Sequence, residues 1–139
     1  MAPDIDLGLS DADLLARFED TTLPTEAFPH AQHVRVAWMF VRQFGMPDAL
    51  DRFSEALKRF AVAKGKPDLY HQTITWAYLL IIAERLARST AATWDAFAAA
   101  NPDLLTWKPS LLDRYYTTET LWSDFARHTF VMPDRIRGT

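Results

Sequence analysis

Apolar residues recur along this chain every third or fourth position rather than every second, which predicts helices and no sheet. Val34, Ala37, Trp38, Val41 and Phe44 form one such stripe, with Gln32, Arg35 and Arg42 on the opposite face. Pro29 suits the first turn of that helix, where its missing N–H costs nothing, and Gly45 suits the C-terminal cap. The element is therefore predicted from Pro29 to about Phe44. The next runs from Met46-Pro47 to near Lys64-Gly65, with Leu50, Phe53, Leu57 and Phe60 inward. Asp48 with Arg52 and Glu55 with Arg59 are i, i+4 pairs on its wet side. So short a turn makes the two helices antiparallel neighbours.

Around this pair the same signals place the rest. Ser10 and Asp13 open a short first helix, about Asp11 to Phe18. A fourth, about Tyr70 to Arg88, is apolar on every side from Trp76 to Ala83, the pattern of a helix surrounded by others. Glu84 and Arg88 near its end form an i, i+4 pair. Thr93 caps a fifth helix, about Trp94 to Ala100, which Asn101-Pro102 stops. A sixth starts near Pro109 and carries Leu111, Leu112, Tyr115 and Tyr116; a last one covers about Ser123 to Thr129, with Thr117 and Ser123 as caps. The expectation is an all-α, single-domain antiparallel bundle of about five to seven helices over residues 1–139, frayed at 1–9 and 134–139.

Composition narrows the function. At 139 residues the chain fits one domain that hides roughly two-thirds of its unfolded surface. Hydrophobic residues at 49% and aromatics at 13% exclude a disordered chain and leave rings for a pocket wall. Cysteine is absent, which excludes disulfides, thiolate metal sites and a cysteine nucleophile, and fits a reducing cytoplasm. The net charge is −3 with Lys and Arg scattered, so no basic stripe for nucleic acid exists. The acidic start, Met1 to Asp6, lacks the features of a signal peptide, and the longest apolar run falls far short of the ~20 residues of a membrane span. A soluble cytoplasmic protein without membrane or nucleic-acid partners is expected. No G-x-S-x-G elbow, Gly-rich phosphate loop or H-E-x-x-H is present.

Histidine carries the remaining chemistry. His30 and His33, at i, i+3 on the inward stripe, share a face with Cβ atoms about 5–6 Å apart. His71 shares a face with Thr75 at i, i+4, and Tyr70 stands at the entry of the same helix. If helices two, three and four run up, down and up, the openings of two and four meet at one end. Three neutral imidazoles there, with an open position, form a common plan for zinc or iron. The reading is a pocket in which His30, His33 and His71 hold a divalent transition metal. A small polar molecule lies beneath Tyr70 and Thr75, with Glu119 as the nearby carboxylate; Glu26 is a further candidate, and Glu84 sits at the wrong depth. Hydrolytic and oxidative chemistry are both compatible with it, and no catalytic residue is singled out.

Each feature also has a plain structural reading. On that reading the histidine pair is part-buried and bonded to backbone or a carboxylate, Thr75 bonds a carbonyl one turn back, and Arg127, which could also meet a substrate acid, pairs with Glu119 or Asp124; His128 falls outside the pocket. Two rival functions follow. Positive helix openings suit an anion, giving a metal-free organic-acid module; alternatively the aromatics bury a homodimer face and the histidines are structural.

Phe28-Pro29-His30-Ala31-Gln32-His33-Val34-Arg35 and Tyr70-His71-Gln72-Thr73-Ile74-Thr75 resemble the motifs of a small uncharacterised bacterial all-helical family. The stretch from Tyr115-Tyr116 to Arg127 and the closing Pro133-Asp134 are similar to it as well. The resemblance implies that these stretches belong together in a stand-alone protein, and it implies no reaction, cofactor or partner.

Overall fold

The computed structural model describes residues 6–135. Seven α-helices occur among them: α1 (Asp11–Glu19), α2 (His30–Phe44), α3 (Asp48–Ala63), α4 (Gln72–Ala87), α5 (Trp94–Ala100), α6 (Thr118–Leu121) and α7 (Asp124–His128). Single 3-10 turns at Thr25–Ala27, Pro67–Leu69, Pro102–Leu104 and Leu111–Arg114 join them. The described residues contain no strand, only an isolated bridge between Trp107 and Ser110. The fold is all-α. No helix among the described residues is long and apolar enough to cross a membrane.

Local chemistry sets most boundaries. Pro29 is extended (φ −69°, ψ 174°) and turns the chain into α2. Gly45 ends that helix at φ 68°, ψ −175°, a region open essentially to glycine alone. Its N–H bonds the Val41 carbonyl, and a Cβ added there would meet nothing within 4 Å. The constraint is therefore one of backbone conformation, not of space.

Phe18, fully buried, is the hub of the core: its ring lies 5.1 Å from Phe28, 5.7 Å from Phe53 and 5.5 Å from Phe60. These rings bring α1, the α1–α2 connection and α3 together. α2 packs against α1, α3 and α4 and buries seven residues, from Val34 to Val41, so it is the central helix. α4 was expected in that place. It packs on α2, α3 and α7, but Leu80 is 42% exposed, so its apolar girdle is not covered on every side.

Charged side chains depart from the expected wet-face pairs. Arg35 reaches back to α1, donating to the Asp11 carboxylate at 2.6 and 2.9 Å and to the Leu9 carbonyl at 3.1 Å. Arg52 lies over the Phe44 ring at 4.3 Å rather than beside Asp48, and Glu55 pairs with Lys58 at 3.7 Å instead of Arg59. Long side chains follow the nearest apolar or carbonyl surface as readily as an i, i+4 partner. The Glu84–Arg88 pair does form, at 3.3 Å between two exposed groups.

The sixth helix shrinks to the 3-10 turn Leu111–Arg114, opened by a Ser110–Asp113 capping box. Thr117 then restarts the chain by capping α6, and Ser123 caps α7. Elements this short cannot stand on helical propensity, and side-chain bonds hold them instead. The buried Thr73 hydroxyl of α4 lies 2.7 Å from the Ala126 carbonyl and 2.9 Å from that of Thr129, and accepts from the Val131 N–H at 3.1 Å. Tyr116 donates its hydroxyl to the Val131 carbonyl at 2.6 Å. The Asp134 carboxylate accepts from the Thr117 N–H and hydroxyl, both at 2.8 Å, and from the Thr120 hydroxyl at 2.6 Å. Arg135 adds an N–H bond to the Tyr115 carbonyl at 2.9 Å. Of the ends expected to fray, 134 and 135 are thus tied down; 1–5 and 136–139 lie outside the described residues.

Candidate functional site

A cavity of about 460 Å³ opens beside the N-terminal ends of α2 and α4, and His30, His33, Tyr70, His71 and Thr75 all line it. Helical periodicity aims His30 and His33 inward from the start of α2, and His71 caps α4. Glu119 does not join them. It is exposed on α6, two residues from the buried Leu121, and two residues on a helix span about 200°, so the carboxylate turns to solvent.

The imidazoles are held by the protein. His71 is 4% exposed, and its Nδ1 accepts the Ile74 N–H at 3.1 Å. The proton therefore sits on Nε2, which donates to the Leu121 carbonyl at 2.6 Å. Neither nitrogen retains a lone pair for another partner. His30 Nε2 lies 2.8 Å from the Leu104 carbonyl, and the ring packs against Tyr78 at 5.1 Å and Trp107 at 5.0 Å. His33 stacks on Phe28 with centroids 3.8 Å apart. Among the described residues, no group of three or more His, Cys, Asp or Glu side chains is arranged to hold a metal ion.

The hydroxyls are engaged as well. Thr75 donates to the His71 carbonyl at 2.7 Å, the back-bonded alternative of the sequence reading, and Tyr70 donates to Gln72 Oε1 at 2.5 Å. The interior of the cavity thus presents ring faces and aliphatic side chains more than open donors.

All three imidazoles are held neutral. Burial pushes His30 below its ordinary value, against the Leu104 carbonyl, which favours the proton. Burial, then the repulsion that His30 and His33 would feel if both were protonated, drives His33 down to about 3, with the Phe28 carbonyl opposing. His71 is lowered by burial first, with the Leu121 carbonyl opposing and Arg127 adding a small push downward. Tyr70 and Tyr78 are raised, both chiefly by burial, and stay protonated.

Charge at this cavity has one sign. Lys64, Lys66 and Arg127 line it, and no Asp or Glu does. None of the three is in an ion pair with a carboxylate among the described residues. Lys64 Nζ lies 5.3 Å from the ring centre of Phe60, itself a wall residue, and Arg127 donates one N–H to the Asp68 carbonyl at 2.7 Å. That bond, rather than the expected carboxylate pair, ties α7 to the Pro67–Leu69 turn. Lys66, Leu69 and Trp122 are both exposed and part of the lining, so they mark the mouth.

Sequence reasoning missed Lys64, Lys66 and the rings of Tyr78, Trp107 and Trp122, and it weighed Arg127 as a partner for a substrate acid but preferred a carboxylate pair. Lys64 and Lys66 flank a helix-ending glycine next to the Tyr70-His71 motif, which was a usable signal. Trp107 and Trp122 sit in or beside irregular segments, where periodicity is silent. The chain matches no known protein-family model, no curated protein and no solved structure.

Proposed function

We propose that this protein is a metal-free binding module for a small organic anion with an apolar body. The observation that carries the reading is the sign of the lining: three cationic side chains, three neutral imidazoles and no carboxylate around about 460 Å³. A cavity of that size lies within the ~300–1,000 Å³ range of small-molecule sites. One cation about 4 Å from a bound carboxylate contributes on the order of 4 kcal/mol in a half-wet site before desolvation is counted. A lining carboxylate would cancel that gain. A divalent metal fits this setting poorly. His71 would have to release the Ile74 N–H or the Leu121 carbonyl to coordinate it, and the ion would face Lys64, Lys66 and Arg127.

Thermal unfolding of tag-free protein is the test, run with small organic acids, their neutral amides, divalent metals and a chelator. The acids are expected to raise Tm with concentration as RT ln(1 + [L]/Kd), while amides and chelator leave it unchanged. Loss of stability on chelation, or stoichiometric metal that disappears in His33→Ala, would overturn the reading in favour of the metal pocket. A Tm that rises with protein concentration and ignores every acid would favour the homodimer.

A further inference from the structure

Resting on that organic-anion reading, we infer that the anion is a flat aromatic or heteroaromatic acid, its ring against Trp107 and its carboxylate at the Lys64–Lys66–Arg127 mouth. The first ground is the state of the interior polar groups. His30 Nε2, His71 Nε2 and the hydroxyls of Tyr70 and Thr75 each have a protein partner already, so the open polar atoms of the lining are few, among them His30 Nδ1, the His33 ring and the N–H groups of Trp107 and Trp122. A sugar-like or peptide-like body would leave most of its own polar groups unpaired inside, a cost that an apolar body does not carry. The body that enters is therefore mainly apolar.

The second ground is the arrangement of rings. His30 lies 5.0 Å from Trp107, Trp107 stands 6.5 Å from Trp122 at 88°, and Trp122 stands 5.6 Å from His71 at 84°. Tyr78 closes the array behind, 6.5 Å from Trp107. These rings pack on one another and also border the cavity, and Trp122 remains 49% exposed at the mouth. His30 and Tyr78 are tilted by 36° and 37° from Trp107 while Trp122 stands perpendicular to it, so the wall offers an entering ring both faces and edges. Those are the two geometries in which aromatic pairs gain beyond buried area. A saturated body of equal size gains the area alone. The cations at the mouth then set orientation, with the acid outward and the ring inward.

The experiment is calorimetric titration with three probes of matched size: 2-naphthoate, decalin-2-carboxylate and 2-naphthamide. 2-Naphthoate is expected to bind at least tenfold tighter than either of the others. Trp107→Leu should bring it to the level of the decalin acid without changing the latter, and Lys66→Gln should weaken both acids. Should Trp107→Leu fail to fold, Trp122→Leu, at a half-exposed position, is expected to show the same narrowing. Equal or tighter binding of the decalin acid would overturn the aromatic inference and leave the organic-anion reading standing. Binding of the amide as tightly as the naphthoate, or of no probe at all, would overturn both.

Discussion

His71 does two structural jobs with one ring, and separating them is the sharpest check on the site. His71→Ala removes the acceptor for the Ile74 N–H, a helix cap whose loss costs about 0.5–2 kcal/mol. It also strands the Leu121 carbonyl, whose bond to Nε2 is buried, at about 1–3 kcal/mol more. The expected total is roughly 1.5–5 kcal/mol. His71→Asn supplies a capping oxygen near the position of Nδ1 but is too short for Leu121, so it should lose only the second part, roughly 1–3 kcal/mol. Urea unfolding measures both as shifts in midpoint at unchanged m. Acid adds a second reading. Burial holds the folded pKa of His71 below its ordinary value, so the unfolded chain takes up the proton first. The stability His71 contributes is complete above about pH 6.5 and is lost as pH falls through the lower folded value. Asn does not titrate, so the advantage of wild type over His71→Asn should narrow on acidification. Equal costs for Ala and Asn, or a gap that ignores pH, would show that the ring does not hold both partners.

His33, lowered to about 3, extends the same dependence: stability should decline from about pH 6.5 toward 3, and NMR titration should show no midpoint for its ring above pH 5. Thr73→Val keeps the shape but strands the Val131 N–H and a carbonyl of α7, at roughly 2–4 kcal/mol; a melting temperature within a degree of wild type would contradict the knot described here. Gly45→Ala should cost about 1–3 kcal/mol through backbone strain alone, despite the open space around it, and a neutral effect in urea unfolding would refute that origin. For Asp134, held at about 2 chiefly by its Thr120 and Thr117 bonds, the contribution is present above its ordinary value near 3.8 and lost as pH falls through about 2. Asp134→Asn should therefore speed hydrogen exchange at the Thr117 amide near neutral pH and differ little from wild type at pH 2.

The helical class and the main rods could be read directly from the residues. α2 and α5 follow from a proline or threonine at one end and a glycine or Asn-Pro at the other, because caps and breakers act within a few residues of themselves. The stripe in α2 also aimed His30 and His33 at the interior, and alternation of direction brought His71 to the same end. Where side chains reach across the fold, the residues said less. Arg35 looked like a surface group until α1 placed Asp11 beside it, and Glu119 looked available until Leu121 was seen to take the inward face.

Periodicity and capping are short-range, so the chain itself determined an all-helical fold and the ends at which its histidines stand. Tertiary structure decided what those histidines are free to do. The Leu104 and Leu121 carbonyls that hold their Nε2 atoms come from segments 74 and 50 residues away, and the Lys64–Lys66–Arg127 mouth unites two parts of the chain that no local rule relates. Lone pairs and charge act in space, and only packing sets which distant groups share it.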